Sequence, residues 1–253
     1  MDFDELLIFR GEDYTISEHI VIHQPTLNQI CDFGEKKYFQ MVSTLTSVGA
    51  DLKWQLDEIG IDYTQVNDFE LFYSLLIKEY TQEQTSIFFG DLDFSKFKLY
   101  TNTINGELCL VQYVKAKSSQ NEFDTVIIDS YTYYLIADLL RKMHGFKKNE
   151  QLPANETTKR ILIEDDKEEY IRNKNKEYHS QLLDLISAMV NCEGFKYNHN
   201  EVWNMKIYAF MNSVKRISKI KNSQLLLQSG YSGYGINLKD INDREIDWLG
   251  GLE

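Results

Sequence analysis

The chain has 253 residues, 43% of them hydrophobic, and a formal net charge of −12. That is apolar material enough for one large or two modest domains with a packed core. No run approaches the roughly 18 consecutive apolar residues of a membrane span, and Met1-Asp-Phe-Asp-Glu5 has neither the basic start nor the apolar stretch of a signal peptide. Three widely spaced cysteines, Cys31, Cys109 and Cys192, suit reduced thiols in a cytoplasm better than a disulfide framework. The acidity is uneven: residues 1–80 carry 15 acidic and 5 basic side chains, and the rest of the chain is close to balance. A region of that sign repels phosphate backbones, which argues against nucleic acid as its partner. It suits a solvated face, or a partner with basic or amphipathic segments.

In chain order, Leu6-Leu-Ile-Phe9 reads as a strand, Arg10-Gly-Glu-Asp13 as a turn and Tyr14-Thr-Ile16 as the return strand. A further strand, His19 to His23, ends at Gln24-Pro25-Thr26. Proline suits a first helical turn, and Leu27, Ile30, Cys31, Gly34, Tyr38, Met41, Val42 and Leu45 keep helical spacing after it. Helices over Asp51–Ile59 and Asp68–Tyr80 follow, with Gly60 as a stop and Asn67 or Asp68 as a cap. Asn105-Gly106 between Lys98–Ile104 and Glu107–Tyr113 predicts a β-hairpin. Ala116 to Asn121 reads as a polar loop, Thr125–Ile128 as a third strand, and Ser130 as the cap of a helix Tyr131–Met143 that Gly145 stops. Arg160–Ile163 is a candidate short strand, and the mixed-charge Glu164–Glu177 a candidate exposed helix held by pairs such as Glu168 with Arg172.

The strongest periodicity lies near the C-terminus. Ser180–Val190 is apolar on nearly every side and reads as a buried helix. Val202–Lys221 places Trp203, Ile207, Phe210, Val214 and Ile217 on one stripe, with Lys215, Arg216, Lys219 and Lys221 in its last turns. The two predict a helical hairpin in which Trp203, Phe210 and Val214 pack on Leu182, Leu185, Ile186 and Met189. Ser223–Gln228 reads as a separate short helix, followed by a glycine-rich turn, Gly230–Gly235. The whole predicts an α+β fold, mostly α: helical N- and C-terminal parts, a small N-terminal β-hairpin, and a small β-hairpin-containing middle. The divisions are 1–80, 81–144, a charged linker 145–179, and a C-terminal helical domain 180–253.

No motif here carries chemistry. The five histidines include no His-Glu-x-x-His, no cysteine pair has zinc spacing, and no nucleophile elbow is present. His19 and His23 on one strand would stand about 13 Å apart, too far to share an ion. Asp91-Leu-Asp93 is an acidic pair without a supporting constellation, and Gly230–Gly235 follows a helix and lacks the lysine of a phosphate loop. The expectation is therefore no catalytic, cofactor-binding or metal-binding residues, no cofactor, no enzyme activity, and a melting temperature indifferent to chelators. Partner-binding residues are not readable.

Ile22-His-Gln-Pro-Thr-Leu27 with Ile30 and Phe33-Gly-Glu35, then Leu182–Glu193, Gly194-Phe-Lys-Tyr197, Val202-Trp203, Phe210–Ile217 and Leu225–Leu238 with Tyr231 and Gly233, resemble tail-morphogenesis proteins of phages and prophages of Gram-positive hosts. The resemblance covers most of the chain, weakest through 81–125 and 145–179. It implies a tail assembly chaperone acting on the tape-measure protein, or else a tail or baseplate component retained in the virion. The partners it implies are the tape-measure protein or tail tube and baseplate proteins, without nucleic acid or membrane, and an oligomer is compatible with it. It places the protein in the host bacterial cytoplasm during assembly, or in the virion tail for the structural alternative. An apolar client face is expected on the N-terminal helices, within residues 27–48 and 68–80.

Overall fold

The structure is a computed structural model and describes residues 3–103, 106–115, 123–232 and 235–252. It is 56% helix and 11% strand, an α+β fold that is mostly α, as the sequence predicts. The helices are α1 Glu5–Arg10, α2 Leu27–Phe33, α3 Glu35–Thr46, α4 Lys53–Glu58, α5 Asp68–Ser74, α6 Gln82–Phe89, α7 Ser130–His144, α8 Glu156–Asn173, α9 Gln181–Val190, α10 Ile207–Tyr231 and α11 Asp243–Ile246. The strands are β1 Tyr14–Ser17, β2 Ile20–Ile22, β3 Lys98–Thr101, β4 Leu108–Lys115 and β5 Phe123–Ile128. They form a two-stranded antiparallel hairpin, β1-β2, and a three-stranded antiparallel sheet, β3-β4-β5.

The N-terminal hairpin lies one element later than the sequence suggests. Leu6–Phe9 is helical because Asp4 accepts hydrogen bonds from the amides of Leu6 and Leu7, and Gly11, at φ 84°, closes the helix in the left-handed region. Only Ile8 of that helix is buried, against the core, so one side chain anchors the turn. The long helix expected after Pro25 is two helices. Thr26 and Gln29 form a capping box that starts α2. Gly34, at φ 93° and ψ 110°, breaks the helix before α3. No atom lies within 4 Å of its would-be Cβ, so Gly34 serves the bend. The predicted helix 68–80 likewise ends at Ser74 and continues as one 3₁₀ turn, Leu76–Glu79.

In the middle, Thr81 and Gln84 form a second capping box for α6, which the aromatic Phe88-Phe89 concealed in the sequence. The predicted hairpin is present as β3 and β4. The amide of Gly106 donates to the Asn102 carbonyl at 2.8 Å, while Asn105 and the Ala116–Asn121 loop lie outside the described residues. Asp129, not Ser130, caps α7, and Gly145, at φ 70°, ends it. Helix α7 is the hub: it packs against α3, α5 and α10 and against β1 and β5. Its Tyr133, Ile136, Ala137, Leu139, Leu140 and Met143 are buried.

The segment expected to contain a strand at 160–163 is instead α8, capped by Asn155. No residue of α8 is buried. It is held to α4 at its surface: Tyr170 packs on Trp54 with ring centroids 5.1 Å apart, and Asp166 accepts the Trp54 amide at 3.2 Å. Lys167 pairs with Glu58 at 3.1 Å and Lys159 with Asp62 at 2.7 Å. Ile163 packs on a small satellite core of Leu56, Tyr63, Leu71 and Leu76.

The C-terminal hairpin is also rearranged. Helix α9 is amphipathic: Leu182, Ile186 and Met189 are buried, but Leu183, Ser187 and Ala188 are exposed. Trp203 lies in a 3₁₀ turn, Val202–Asn204, and α10 begins only at Ile207, then runs without interruption through Ser223–Gln228. The main partners of α10 are α7, α1 and α11 rather than α9. One core results, drawing on Ile8, Ile22, Leu27, Tyr38, Phe72, Phe88, Ile128, Leu140, Ile186 and Phe210 alike. It is stitched between the chain's first and last thirds: the Leu27 amide donates to Met205, the Ile207 amide to Pro25, both at 3.0 Å, and the Lys206 ammonium to the Gln24 carbonyl at 2.5 Å.

Candidate functional site

The expected client face on the N-terminal helices is polar. On α3, Tyr38, Met41, Val42 and Leu45 turn into the core, and the exposed positions are Lys36, Lys37, Gln40 and Ser43. In 68–80, Phe69, Leu71, Phe72, Leu76 and Ile77 are buried, and Leu75 stands alone as an exposed large aliphatic. The helical stripes there are core.

Exposed large hydrophobic side chains occur at several places, Leu6, Leu152 and Leu225 among them, and four of them share one face of the middle sheet. Directly opposed residues of an antiparallel pair share a face. Leu110 with Ile128, and Gln112 with Val126, form the inner face, and all four are buried. The outer face carries Tyr100 opposite a buried Cys109, Val111 flanked by the exposed Lys98 on β3 and by Ile127 on β5, Tyr113 opposite Thr125, and Phe123 opposite Lys115. On it Tyr100 is 44%, Ile127 49%, Tyr113 64% and Phe123 66% exposed. Strand β4 is apolar at successive positions, Leu108-Cys-Leu-Val111, and that is the mark of a strand with both faces apolar. Helix α7 covers one face only, and the sequence does not say which.

The histidines are scattered through the fold. His144 is fully buried in the aromatic cluster of Tyr38, Phe39 and Phe88. Its Nδ1 donates to the Leu140 carbonyl at 2.7 Å, an oxygen that can only accept. The neutral ring's Nε2 therefore accepts from the Tyr38 hydroxyl at 2.6 Å. Desolvation pushes His144 down to about 4 and Tyr38 well up. These are satisfied core groups. His23 Nδ1 meets Asp13 at 2.7 Å, and Gln24 beside it donates to the carbonyls of Ile8 and Glu12, tying α1 to the hairpin. His19, at the β1-β2 turn, has its Nε2 2.7 Å from Asp124 Oδ2 on β5. With Glu18 these form a cluster of three ligand-type side chains. No local spacing could reveal it, because His19 and Asp124 are 105 positions apart.

The other sequence candidates resolve as structure. Asp93 caps a 3₁₀ turn, accepting from the Ser95 amide and hydroxyl, and pairs with Lys96 at 3.0 Å. Because α10 runs on to Tyr231, its cations lie in mid-helix and not in its last turns. Arg216 donates to the carbonyls of Trp248 and Gly250, and Lys219 to that of Gly251, so they pin the C-terminal segment. Lys142, Lys147, Lys215 and Arg216 line a groove of about 490 Å³ with Tyr208 and Glu5. Glu5 neutralises Lys142 at 2.6 Å. Of the Gly230–Gly235 turn, Gly230 is helical and Gly233 lies outside the described residues. The three cysteines are free thiols, and no helix among the described residues is long and apolar enough to cross a membrane.

No curated protein and no solved structure matches the chain. Residues 173–252 match a family model, the YomV second domain, whose phage-derived name fits a phage-associated protein. The matched stretch begins at the last residue of α8 and contains α9, α10 and α11.

Proposed function

We propose that the chain is a phage or prophage tail-morphogenesis protein that works by holding another protein rather than by catalysis, with the tape-measure protein as client. The observation that carries this reading is the outer face of the middle sheet, where Tyr100, Tyr113, Phe123 and Ile127 are exposed on the same side. Aromatic side chains dominate binding surfaces because they bury much area at low entropic cost. A sheet face of this kind offers an amphipathic helical segment an apolar bed. The match of residues 173–252 supports the phage setting.

The test is co-expression with the tape-measure protein of the same genome, followed by affinity capture. Tyr113→Ser, Phe123→Ser and Ile127→Ser, singly and together, should leave the melting temperature within a few degrees and abolish capture. Capture that survives the triple variant rejects the face, and no capture by the wild type rejects the chaperone role. Recovery of the chain in stoichiometric amount from purified particles would put the virion-component reading in its place.

A further inference from the structure

The turn of the N-terminal hairpin and the start of β5 bring together three side chains of metal-ligand type. His19 Nε2 and Asp124 Oδ2 lie 2.7 Å apart, and a Glu18 carboxylate oxygen joins them so that all three atoms fall within 4.8 Å of one another. The register of β1 and β2 slips between Thr15 and Ser17, a bulge immediately before Glu18 and His19. Bulges of this kind re-aim the side chains beside them. The His19 side chain is 13% exposed and Asp124 36%, so the imidazole is largely withdrawn from water while the exposed Glu18 closes the cluster from the solvent side.

We propose that Glu18, His19 and Asp124 bind a divalent transition-metal ion of the zinc class. One imidazole nitrogen with two carboxylate oxygens is a mixed set that suits zinc and its neighbours, whereas magnesium and calcium prefer all-oxygen shells. Ligand atoms around a tetrahedral ion with bonds of about 2.0–2.1 Å stand roughly 3.3 Å apart. His19 and Asp124 need open by less than about 1 Å to reach that spacing, and the Glu18 carboxylate, already within 4.8 Å of both, supplies the third side. Three protein ligands leave a fourth position for water. The ion would join the hairpin turn to β5, two segments otherwise far apart in the chain, and its binding would raise the stability of the folded form.

The test uses the full-length protein, stripped with chelator and titrated with Zn²⁺ by calorimetry and by thermal melting, with Co²⁺ as a spectroscopic probe. The wild type should bind one equivalent, melt higher with metal, and give a visible Co²⁺ band of low coordination number. His19→Gln and Asp124→Asn should weaken binding at least tenfold, while a Cys31→Ser/Cys192→Ser variant should bind as the wild type does. Should either core-side variant misfold by circular dichroism, Glu18→Gln, at an exposed position, carries the test with the same tenfold loss. No binding by the wild type, or wild-type affinity in these ligand variants, overturns the proposal.

Discussion

The Tyr38 hydroxyl donates to His144 Nε2 at 2.6 Å across 106 residues of sequence, and both side chains are buried. The contact fixes His144 as neutral, and burial holds its pKa near 4 against an ordinary 6.5. The unfolded chain takes up a proton between those values and the folded one does not. The contribution to stability is therefore complete above about pH 6.5 and is lost as pH falls toward 4, on the order of 3 kcal/mol. Urea melts across that window should show the slope in the wild type and a shallower one in His144→Leu.

Phe210 is fully buried at the point where α10 meets the rest of the core. Phe210→Ala should cost roughly 3–5 kcal/mol, which is a large part of the stability of a typical domain. Chemical denaturation measures it, and a cost below about 1 kcal/mol would mean that α10 is not seated as described.

Gly49 admits no side chain. A Cβ there would lie 2.3 Å from the Tyr63 carbonyl oxygen and 2.6 Å from Val66 Cγ1. Gly49→Ala should therefore destabilise by about 1–3 kcal/mol through overpacking. The same change at Gly251, which has nothing within 4 Å, should be nearly neutral.

The Trp54 side chain anchors α8 through its ring on Tyr170 and under the Lys167 ammonium 5.7 Å away, beside a backbone amide bond to Asp166 that the substitution keeps. Trp54→Ala should raise amide exchange across 156–173 well before the rest of the chain responds, since α8 buries no residue of its own. Uniform protection there in the variant would contradict this.

Much of the fold is legible wherever the signal is local. Gly60, Asn67 and Gly145 punctuate helices as their chemistry dictates, and the Asn-Gly turn signal at 105–106 marks the β3-β4 hairpin. Ambiguity enters where one run suits two states. Leu6–Phe9 is apolar enough for a strand, but Asp4 and Gly11 at its two ends make it a helix. Helix α8 has apolar residues too sparse for a stripe, and it is fixed by charges and by Trp54, more than a hundred positions away. The candidate sites were least legible. Which face of the middle sheet stays uncovered depends on where α7 lands, and the pairing of His19 with Asp124 depends on two segments meeting only in the folded chain.

The stitching of Gln24, Pro25 and Leu27 to Met205, Lys206 and Ile207 sets an order of events during synthesis. The Lys206 contact closes a loop of 182 residues. Until that last third leaves the ribosome, the carbonyls of Gln24 and Pro25 and the part of α2 that packs on Val202–Asn204 lack these partners. A nascent chain arrested before residue 205 should therefore hold its N-terminal third open and sticky, and completion of α10 is the step that releases it from that hazard.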